Sequence, residues 1–267
     1  MSKVKQEDHS ALTTADKAGR RMGWPRYTYA SVGSTMDVAK RLAEKGAPEG
    51  TLVLAERQTA GRGRQRRPWD SPKGGLYLSL ILRPTRPTPE VPQLSLVAGL
   101  AAAEAVQEAS GLSPCVKWPN DLLLRERKVA GLLVETSNGA VVLGIGINVT
   151  TPTRLLPEAA TSLVAEGWTR ANPRTLAAAL CRHLGAWYDI CSSNSFAPIR
   201  EALRPWMGHF GQRVSIASGS KRFEGTASDL DESGRLLVRL DTGILQAFEM
   251  GEVTLLRQGA LSPIPDQ

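Results

Sequence analysis

The segment KWPNDLLLRERKVAGLLVE, residues 117–135, determines how the rest of the chain can be interpreted. Its apolar runs at 122–124 and 128–135 predict two strands. The charged residues 125–127 between them predict a turn. The segment therefore indicates a strand–turn–strand unit within a sheet.

Polar side chains stand at the ends of these predicted strands. Asn120 and Asp121 lie at an earlier turn, where short side chains either reach a ligand or cap the chain. Lys128 opens the second strand close to Gly131, and a glycine within a strand lets a ligand approach the backbone. A strand-edge lysine that discourages aggregation is the alternative role for Lys128 alone. These residues by themselves leave both kinds of role open.

The flanking sequence extends this unit into an α+β chain. Strands are predicted at 51–56, 76–82, 115–118 and 140–149, and helical regions at 34–46, 93–110 and 173–207. Ser34 is a candidate N-cap for the first helix, with Asp37 three residues later. After residue 210, short alternating segments divided by glycine and aspartate turns predict a small antiparallel module. We therefore expect a disordered tail at 1–23, a larger domain at 24–207, a small β domain at 208–257 and a tail at 258–267.

The segment QTAGRGRQRRPW, residues 58–69, places four arginines around two glycines. Glycine lets the backbone approach a ligand closely, and the planar guanidinium of arginine suits carboxylate and phosphate oxygens. The run lacks the GK[ST] ending of a P-loop. It is therefore either a mobile clamp for an anion or a solvated basic loop that contacts nucleic acid.

The length, net charge and cysteine content of the chain limit the class of protein. The 267 residues carry a formal net charge of +7, which suits an anionic partner without identifying it. Cys115, Cys181 and Cys191 form no CxxC pair, so neither a disulfide framework nor a metal site is expected. No apolar run reaches transmembrane length, and the first residues contain no signal-peptide core. We expect a cytoplasmic protein that does not bind membranes.

Taken in order, these motifs resemble those of the biotin protein ligases. The resemblance covers about residues 27–257 and includes a glycine-interrupted strand at 144–149. The segments that carry it are SVGSTMD, AERQTAGRGRQRRPWDSPKGGLYLSLIL, KWPNDLLL, RKVAGLLVE, GIGINV and GTASDLDESGRLLV. The ordered combination of the GRGR, KWPND and KVAG motifs is specific.

The resemblance implies an α+β fold in which a seven-stranded mixed sheet of the biotin/lipoate protein ligase type precedes a small C-terminal SH3-like β-barrel. The larger domain would then be the catalytic ligase domain. It would use ATP, with Mg²⁺, to convert biotin to biotinoyl-5′-AMP. The biotinyl group would pass to one lysine of the biotin carboxyl carrier domain of a biotin-dependent carboxylase. The net positive charge would guide the encounter with an acidic carrier domain.

The resemblance also assigns roles position by position. Biotin binding falls to Ser34, Thr35, Gln58, Gly61, Arg62, Gly63, Arg64, Lys128 and Gly131. Binding of ATP or the adenylate falls to Arg62, Arg64, Trp69, Asn120, Lys128 and Asn148. The catalytic candidates are Lys128 near the carboxylate and α-phosphate, Arg64 retaining the adenylate, and Asp121 accepting a proton from the acceptor lysine. A turn-capping role for Asp121 is equally open.

Three residues depart from the family's motifs. The loop usually reads GRGRRGR, so Gln65 replaces an arginine and Arg66 replaces a glycine. Arg66 should stiffen the loop while preserving its charge. Met36 stands where an asparagine is common, which removes a polar group near the biotin pocket. These departures bear on affinity more than on the reaction.

Two other functions remain as alternatives. A lipoate–protein ligase would use a similar fold with Lys128 in the same role, although the GRGR and KWPND motifs favour biotin. A nucleic-acid-binding module would interleave arginines with aromatic residues, but only Trp69 lies near the loop. The first two dozen residues are too short for a DNA-binding domain, so we expect a ligase that does not bind DNA. The sequence leaves open whether the chain is a monomer or a homodimer.

Overall fold

The fold is built on a mixed β-sheet followed by a smaller antiparallel one. The computed structural model describes residues 5–6, 14–15, 21–84, 91–193 and 196–256. In chain order its strands are β1 (Lys5–Gln6), β2 (Thr14–Ala15), β3 (Arg21–Met22), β4 (Arg26–Tyr29), β5 (Leu52–Ala55), β6 (Gly75–Leu82), β7 (Cys115–Lys117), β8 (Asp121–Leu124), β9 (Arg127–Ser137), β10 (Ala140–Asn148), β11 (Arg213–Ser218), β12 (Lys221–Leu230), β13 (Leu236–Leu240), β14 (Leu245–Phe248) and β15 (Glu252–Leu255).

The main sheet has the order β1-β4-β5-β6-β10-β9-β8-β7 within the described residues. Strands β4 and β5 are parallel, and the other neighbouring pairs are antiparallel, so the sheet is mixed as predicted. The expected number of strands was seven, and the eighth is the two-residue β1 paired with β4. All residues of the central strand β6 are buried, because layers of the protein cover both faces of the sheet.

Helices lie on both faces of this sheet. Helix α1 (Thr35–Glu44) packs on one face, while α2 (Val91–Ser110), α3 (Pro173–Ser193) and α4 (Ala197–Leu203) pack on the other. The predicted helical region 173–207 thus contains two helices and a 3-10 turn at Arg204–Trp206. None of the helices within the described residues is long and apolar enough to cross a membrane.

Helix α2 fits tightly between the sheet and α3. Small side chains let it approach both neighbours, and its buried alanines are Ala98, Ala101, Ala102, Ala103 and Ala105. A helix that is apolar on most of its surface is stable only when it is enclosed, as this one is. The predicted helix at 93–110 is therefore confirmed, and α2 forms the centre of the largest core.

The start of α1 differs from the predicted cap. Ser34 occupies the N-cap position with an extended backbone, but its side chain makes no capping hydrogen bond. Asp37 does not reach back to the cap and instead forms an ion pair with Arg62 at 2.7 Å. The predicted N-cap position of Ser34 is therefore confirmed, but the side-chain contacts of a capping box are not formed, because the Asp37 carboxylate pairs with Arg62 instead.

The C-terminal strands form an antiparallel sheet with the order β14-β13-β12-β11-β15. Its hydrogen-bonded ladder leaves β14 and β15 as edges within the described residues, so the expected closed barrel is not formed by backbone pairing. The predicted antiparallel character is confirmed.

The predicted tails lie mostly outside the described residues. The segment 258–267 falls wholly outside them. Of the segment 1–23, only residues 5–6, 14–15 and 21–23 are described, and they contribute the short strands β1, β2 and β3. The predicted disorder of 1–23 and 258–267 therefore stays a prediction.

His209 is a buried titratable group in the short segment between the 3-10 turn at Arg204–Trp206 and β11. Its side chain is nearly inaccessible and contacts the ring of Phe210 edge-on at a centroid distance of 5.2 Å. Burial, with a smaller effect from the positive charge of Lys117, lowers the pKa of His209 from 6.5 to about 4. The folded protein therefore keeps this imidazole neutral under conditions in which an unfolded chain protonates it.

We expect His209 to make the fold sensitive to mild acid. Both states are neutral at this residue above pH 6.5, whereas between pH 6.5 and about 4 only the unfolded state binds the proton. Stability is therefore lost as pH falls through this window, by about 2–3 kcal/mol at pH 4.5. Urea unfolding at pH 7.5 and 4.5 should show that His209→Phe loses less stability than the wild type. Equal losses in the two proteins would contradict the assignment.

Candidate functional site

One face of β10 is covered by α1 near the start of the strand and open near its end. Ala140 and Val142 point towards α1 and are packed beneath it. Gly144, Gly146 and Asn148 continue on the same face, because side chains alternate along a strand. The two glycines contribute no side chain there, so the sheet is covered by α1 at one end and open at the other. A cavity of about 600 Å³ occupies this open region.

The glycines of this face are required by close neighbours. A Cβ at Gly146 would lie 2.6 Å from Nε1 of Trp69, and one at Gly144 would lie 2.6 Å from Sδ of Met36. A Cβ at Gly131, on the adjacent strand, would lie 3.0 Å from the indole of Trp69. The two separations of 2.6 Å are too short for an added carbon unless the neighbour moves, and the separation of 3.0 Å is tight. The glycines therefore let Trp69 and Met36 lie on the sheet as the cavity's walls.

A β-bulge directs Lys128 into the cavity. Asp121 pairs with Gly131 and Leu123 pairs with Lys128, so the register between β8 and β9 shifts by one residue. Directly paired residues face the same side, and the bulge therefore places Lys128 on the face of Asp121 and Gly131. Nζ of Lys128 lies 2.6 Å from Oδ1 of Asp121 and 5.2 Å from the centroid of the Trp69 ring.

The arginine loop folds back on itself over the cavity. The amide of Trp69 donates to the carbonyl of Gly61 at 2.9 Å, and the amide of Gly63 donates to the carbonyl of Arg67 at 2.8 Å. At the tip, Gln65 and Arg66 have φ angles of 54° and 59°. A residue with a Cβ is disfavoured in this left-handed region by about 1 kcal/mol or more, so Arg66 stands where a glycine would be less strained.

Arg62 is held by two acidic residues beside the cavity. Its guanidinium lies 2.7 Å from Asp37 and 3.1 Å from Glu135, and Lys40 also contacts Glu135 at 2.8 Å. Burial alone would raise the pKa of Glu135, but the hydrogen bonds from Lys40 and Arg62 outweigh it and lower that pKa. The pairs fix the base of the loop to α1 and β9, so Arg62 is committed largely to holding the loop.

Arg64 reaches the other side of the cavity and contacts a neutral group. Its Nη1 donates to Oδ1 of Asn120 at 3.0 Å, and Asn120 in turn donates to the carbonyl of Leu132 at 3.0 Å. Burial lowers the pKa of Arg64, with the nearby charge of Asp121 acting in the opposite direction. An arginine remains protonated despite such a shift. This guanidinium is therefore a partly desolvated cation whose hydrogen-bond partner carries no charge.

A chain of hydrogen bonds fixes the cavity end near α1. Oε1 of Gln58 accepts from the amide of Thr35 at 2.8 Å and from its hydroxyl at 3.0 Å. Nε2 of Gln58 donates to Ser71 at 2.9 Å, and the buried hydroxyl of Ser79 donates to that of Thr35 at 2.9 Å. These bonds determine the orientation of the Gln58 amide. The adjacent Ser34 is buried and lines the cavity.

Asn148 has one satisfied and one unsatisfied polar atom. Its Nδ2 donates to the carbonyl of Thr161 at 3.0 Å. Its Oδ1 is buried and accepts no hydrogen bond from the described residues. A buried acceptor without a partner costs about 1–3 kcal/mol, so the Asn148 oxygen is a candidate contact for a bound ligand that carries a donor.

The structure brings the sequence-predicted residues together around one cavity. The members of that set which line it are Ser34, Thr35, Gln58, Arg62, Gly63, Arg64, Trp69, Asn120, Asp121, Lys128, Gly131 and Asn148. Gly61 does not line it and lies beneath the loop, where an added Cβ would be 2.5 Å from both the Ser71 hydroxyl and the Trp69 carbonyl. Its requirement for glycine is therefore one of packing.

Sequence reasoning missed several residues that shape the site. Glu135 orients Arg62, and Ser71 orients Gln58. No local sequence pattern distinguishes Glu135 or Ser71 from other polar residues. Gly144 and Gly146 belong to the glycine-interrupted strand noted in the sequence, but the open face was not inferred, although glycines two residues apart in a strand clear one face. The C-terminal sheet also contributes lining residues, which are Ala217, Ser218, Gly219, Met250, Gly251, Glu252 and Val253.

No cluster of three or more histidine, cysteine, aspartate or glutamate side chains in the described part of the chain could hold a metal ion. The carboxylate nearest the cationic centre, Asp121, is paired with Lys128.

Comparison with known proteins finds similarity along most of the chain. The family "Biotin/lipoate A/B protein ligase family" matches residues 29–151, and "Biotin protein ligase C terminal domain" matches residues 209–256. The biotin–[acetyl-CoA-carboxylase] ligase of Mycobacterium tuberculosis is 35% identical over 247 residues, covering 90% of this chain and 92% of that protein. The bifunctional ligase/repressor BirA of Bacillus subtilis is 34% identical over 225 residues, covering 80% and 69%. The structure of the biotin protein ligase from Aquifex aeolicus in complex with biotin and ATP has a TM-score of 0.77 and 32% identity, covering 87% of this chain and 98% of that one.

We expect Gly61→Ala to open the arginine loop. The new methyl group would collide with the carbonyl of Trp69, which accepts from Ser71 and lies beside the hairpin bond to Gly61. Trypsin should then cleave at the loop arginines about tenfold faster or more. A tenfold change corresponds to a loss of about 1.4 kcal/mol in the free energy that favours the closed loop over the open one.

Gly63→Ala is the matched control. The nearest heavy atom to a Cβ at Gly63 is 3.8 Å away, which is ordinary contact, and its φ of −105° suits any residue. Cleavage of this variant should match the wild type. Equal acceleration in both variants would mean that the loop needs flexibility at both glycines rather than space at Gly61.

Proposed function

Because this chain belongs to the biotin protein ligase family, we propose that it activates biotin with ATP and transfers the biotinyl group to a lysine of a carrier protein. The observation that carries the proposal is the convergence of Lys128 and Arg64 on a glycine-floored cavity whose far end is closed by hydrogen-bonding groups of α1. Such a cavity suits a molecule with a polar ring at one end and a carboxylate at the other.

The ring end of biotin is assigned to the α1 end of the cavity. A ureido ring has two N–H donors and one carbonyl acceptor, so it needs partners of both kinds. The buried Ser34 hydroxyl, the Thr35–Gln58 pair and the backbone of Arg62 and Gly63 supply them in our proposal. Their mutual hydrogen bonds preorganise this end, so little ordering is needed when biotin binds.

The carboxylate end is assigned to the cations. In the first step a carboxylate oxygen attacks the α-phosphorus of ATP, the bond from that phosphorus to the bridging oxygen breaks, and pyrophosphate leaves. Two anions must approach each other for this attack, and Lys128 and Arg64 reduce their repulsion. Mg²⁺ enters as part of the substrate MgATP, held mainly by phosphate oxygens.

The second step transfers the acyl group. The amine of the acceptor lysine attacks the acyl carbon of biotinoyl-5′-AMP, AMP leaves with the bonding electrons, and the amine gives up a proton. We assign acceptance of that proton to Asp121, which lies at the cavity. Because Asp121 is also the ion-pair partner of Lys128, replacing it is expected to disturb adenylation as well.

The nucleotide base is assigned to Trp69 and Asn148. An indole offers a flat surface on which adenine stacks, and the Gly131 and Gly146 floor supports it from below. The unsatisfied Oδ1 of Asn148 would accept a hydrogen bond from the exocyclic amine of adenine. This contact would remove the penalty of a buried oxygen without a partner.

The C-terminal sheet is proposed to be a partly open SH3-like barrel within 208–257, following a catalytic domain at 24–207. The connection 249–251 joins β14 to β15 and spans about 15 Å at most. In a flat sheet these two edge strands, four spacings apart, would be separated by about 19 Å. The sheet must therefore curl, which supports a barrel-like shape.

The carrier protein is proposed to be the biotin carboxyl carrier domain of a carboxylase. The names of relatives such as the M. tuberculosis biotin–[acetyl-CoA-carboxylase] ligase support this partner. The same names do not favour lipoate as the acid, although the matched family includes lipoate ligases. A net charge of +7 would favour approach by an acidic carrier domain.

The first test is pyrophosphate release from MgATP in the absence of any carrier protein. We expect release to depend on biotin and to stop near one equivalent per protein chain, because the adenylate remains bound. Lipoic acid serves as the parallel substrate and should give no release. Release with lipoic acid alone, or with neither acid from folded protein, would overturn the proposal.

We expect Arg64→Gly to release the adenylate. The Arg64 guanidinium lines the cavity and has no carboxylate partner within hydrogen-bonding distance among the described residues, so it is available to the adenylate phosphate. Loss of one charge-assisted hydrogen bond, about 1.5–3 kcal/mol, should accelerate dissociation of biotinoyl-5′-AMP about 10- to 100-fold. Released adenylate can be followed by biotinylation of a bystander protein that lacks a carrier domain.

Arg66→Gly is the matched control, because it removes the same charge two residues away. Arg66 is exposed at the strained tip, where glycine relieves its positive φ. This variant should retain the adenylate as the wild type does. Leakage from both variants would show that loop charge, rather than the position of Arg64, retains the intermediate.

A further inference from the structure

Glu166 is a buried carboxylate outside the cavity. Its side chain is 1% exposed. Oε1 lies 2.5 Å from Nη2 of Arg127 and accepts from the hydroxyl of Thr161 at 2.6 Å, while Oε2 lies 3.5 Å from Nε of Arg125. Burying a carboxylate is costly unless its partners are well placed. Here the partners tie Glu166 to the turn before β9 and to the segment around Thr161.

Thr161 connects this carboxylate to two residues of the site. Its amide donates to the carbonyl of Lys128 at 2.9 Å, and its carbonyl accepts from Nδ2 of Asn148 at 3.0 Å. The amide of Lys128 donates to Ala159 at 2.8 Å, and the amide of Leu163 donates to Asn148 at 2.9 Å. The segment 159–163 therefore bridges the start of β9 and the end of β10.

The Asn148 amide has one orientation because of this bridge. An amide group has a donor end and an acceptor end, and the donor end is used by the Thr161 carbonyl. The acceptor end, Oδ1, is left without a partner among the described residues. If the Thr161 carbonyl moved, the amide could turn and present its NH₂ group instead.

We propose that Glu166 and Thr161 are positioning residues that make the nucleotide site selective for adenine by holding the Asn148 oxygen as an acceptor. This inference rests on the proposed placement of ATP beside Asn148. Adenine carries an amino group at C6, which donates to an acceptor. Hypoxanthine carries an oxygen there, which is repelled by one. The fixed amide therefore favours ATP over ITP, and a loosened amide accepts both.

The experiment measures binding of MgATP and MgITP directly, by quenching of tryptophan fluorescence, and biotin-dependent pyrophosphate release with each nucleotide. Thr161→Val removes the hydroxyl while keeping the side-chain shape. Glu166→Gln keeps the shape and removes the charge. Ser162→Ala is the control for the first variant, since its buried hydroxyl has no partner within the described residues. Glu158→Gln, at an exposed position of the same segment, is the control for the second.

We expect wild-type protein and both controls to prefer ATP to ITP, and the preference to fall about tenfold in Thr161→Val and Glu166→Gln. The KM for biotin should change much less than the KM for ATP, because the ring end of the cavity does not contact this bridge. The double variant should lose little more than either single variant, since both act through one chain of contacts.

Two results would overturn the inference. One is an unchanged ATP-to-ITP preference in folded Thr161→Val, which is the more conservative variant and preserves the fold if Glu166→Gln does not. The other is equal weakening of both nucleotides, which indicates a purely structural role. If wild-type protein binds ATP selectively but releases no pyrophosphate with biotin, the proposed function fails while the binding ratios still test Glu166 and Thr161.

Discussion

The site depends on a region of the main sheet where glycines leave one face without side chains. Strands β9 and β10 lie in the interior of the main sheet, and their other face is filled by the core beneath α2 and α3. On the cavity face, Gly131, Gly144 and Gly146 leave backbone where packed side chains would otherwise stand. Because close-packed interiors contain few voids, such a space persists only when its walls are supported elsewhere. The support comes from α1, the arginine loop and the C-terminal sheet, so each of these elements is arranged around the glycines.

Three of the cations that line this space, Arg62, Lys128 and Arg64, are restrained to different degrees. Arg62 is paired with two carboxylates, and an anionic ligand would have to compete with both. Lys128 is paired with one carboxylate, Asp121, and also faces an aromatic ring. Arg64 is bonded to an uncharged amide. A hydrogen bond from a guanidinium to a neutral amide lacks the attraction of an opposite charge that an ion pair adds, so redirecting Arg64 towards a ligand costs the least. In the proposed reaction, Arg62 would therefore hold the loop, Lys128 would stabilise charge at the carboxylate and α-phosphate, and Arg64 would retain the adenylate.

Much of this arrangement follows from local sequence, and the remainder does not for identifiable reasons. The helix at 34–46 and the strands at 51–56, 76–82 and 140–149 were predicted because apolar period and turn residues are local signals. The order of motifs indicated which residues would meet. The bulge that turns Lys128 into the cavity was not predictable, because a one-residue slip depends on pairing with β8 rather than on β9 itself. The N-cap position of Ser34 was predicted, but the role of Asp37 was not, for a similar reason: its partner is an arginine from a distant loop.

The C-terminal sheet is part of the site as well as a separate fold element. Trp118, in the turn before Asn120, is buried and donates through Nε1 to the carbonyl of Gly234 at 3.1 Å. Residues of both sheets belong to one continuous core, and Arg67 in the arginine loop lies 3.3 Å from Glu252 on β15. The Arg67–Glu252 pair is exposed and contributes at most about 1 kcal/mol, so it guides the loop without locking it. The shared core holds the turn that carries Asn120 in place. The side-chain oxygen of Asn120 in turn accepts a hydrogen bond from Arg64. The C-terminal sheet therefore supports the cavity in two ways, through the buried Trp118 and through its own lining residues near 217–219 and 250–253.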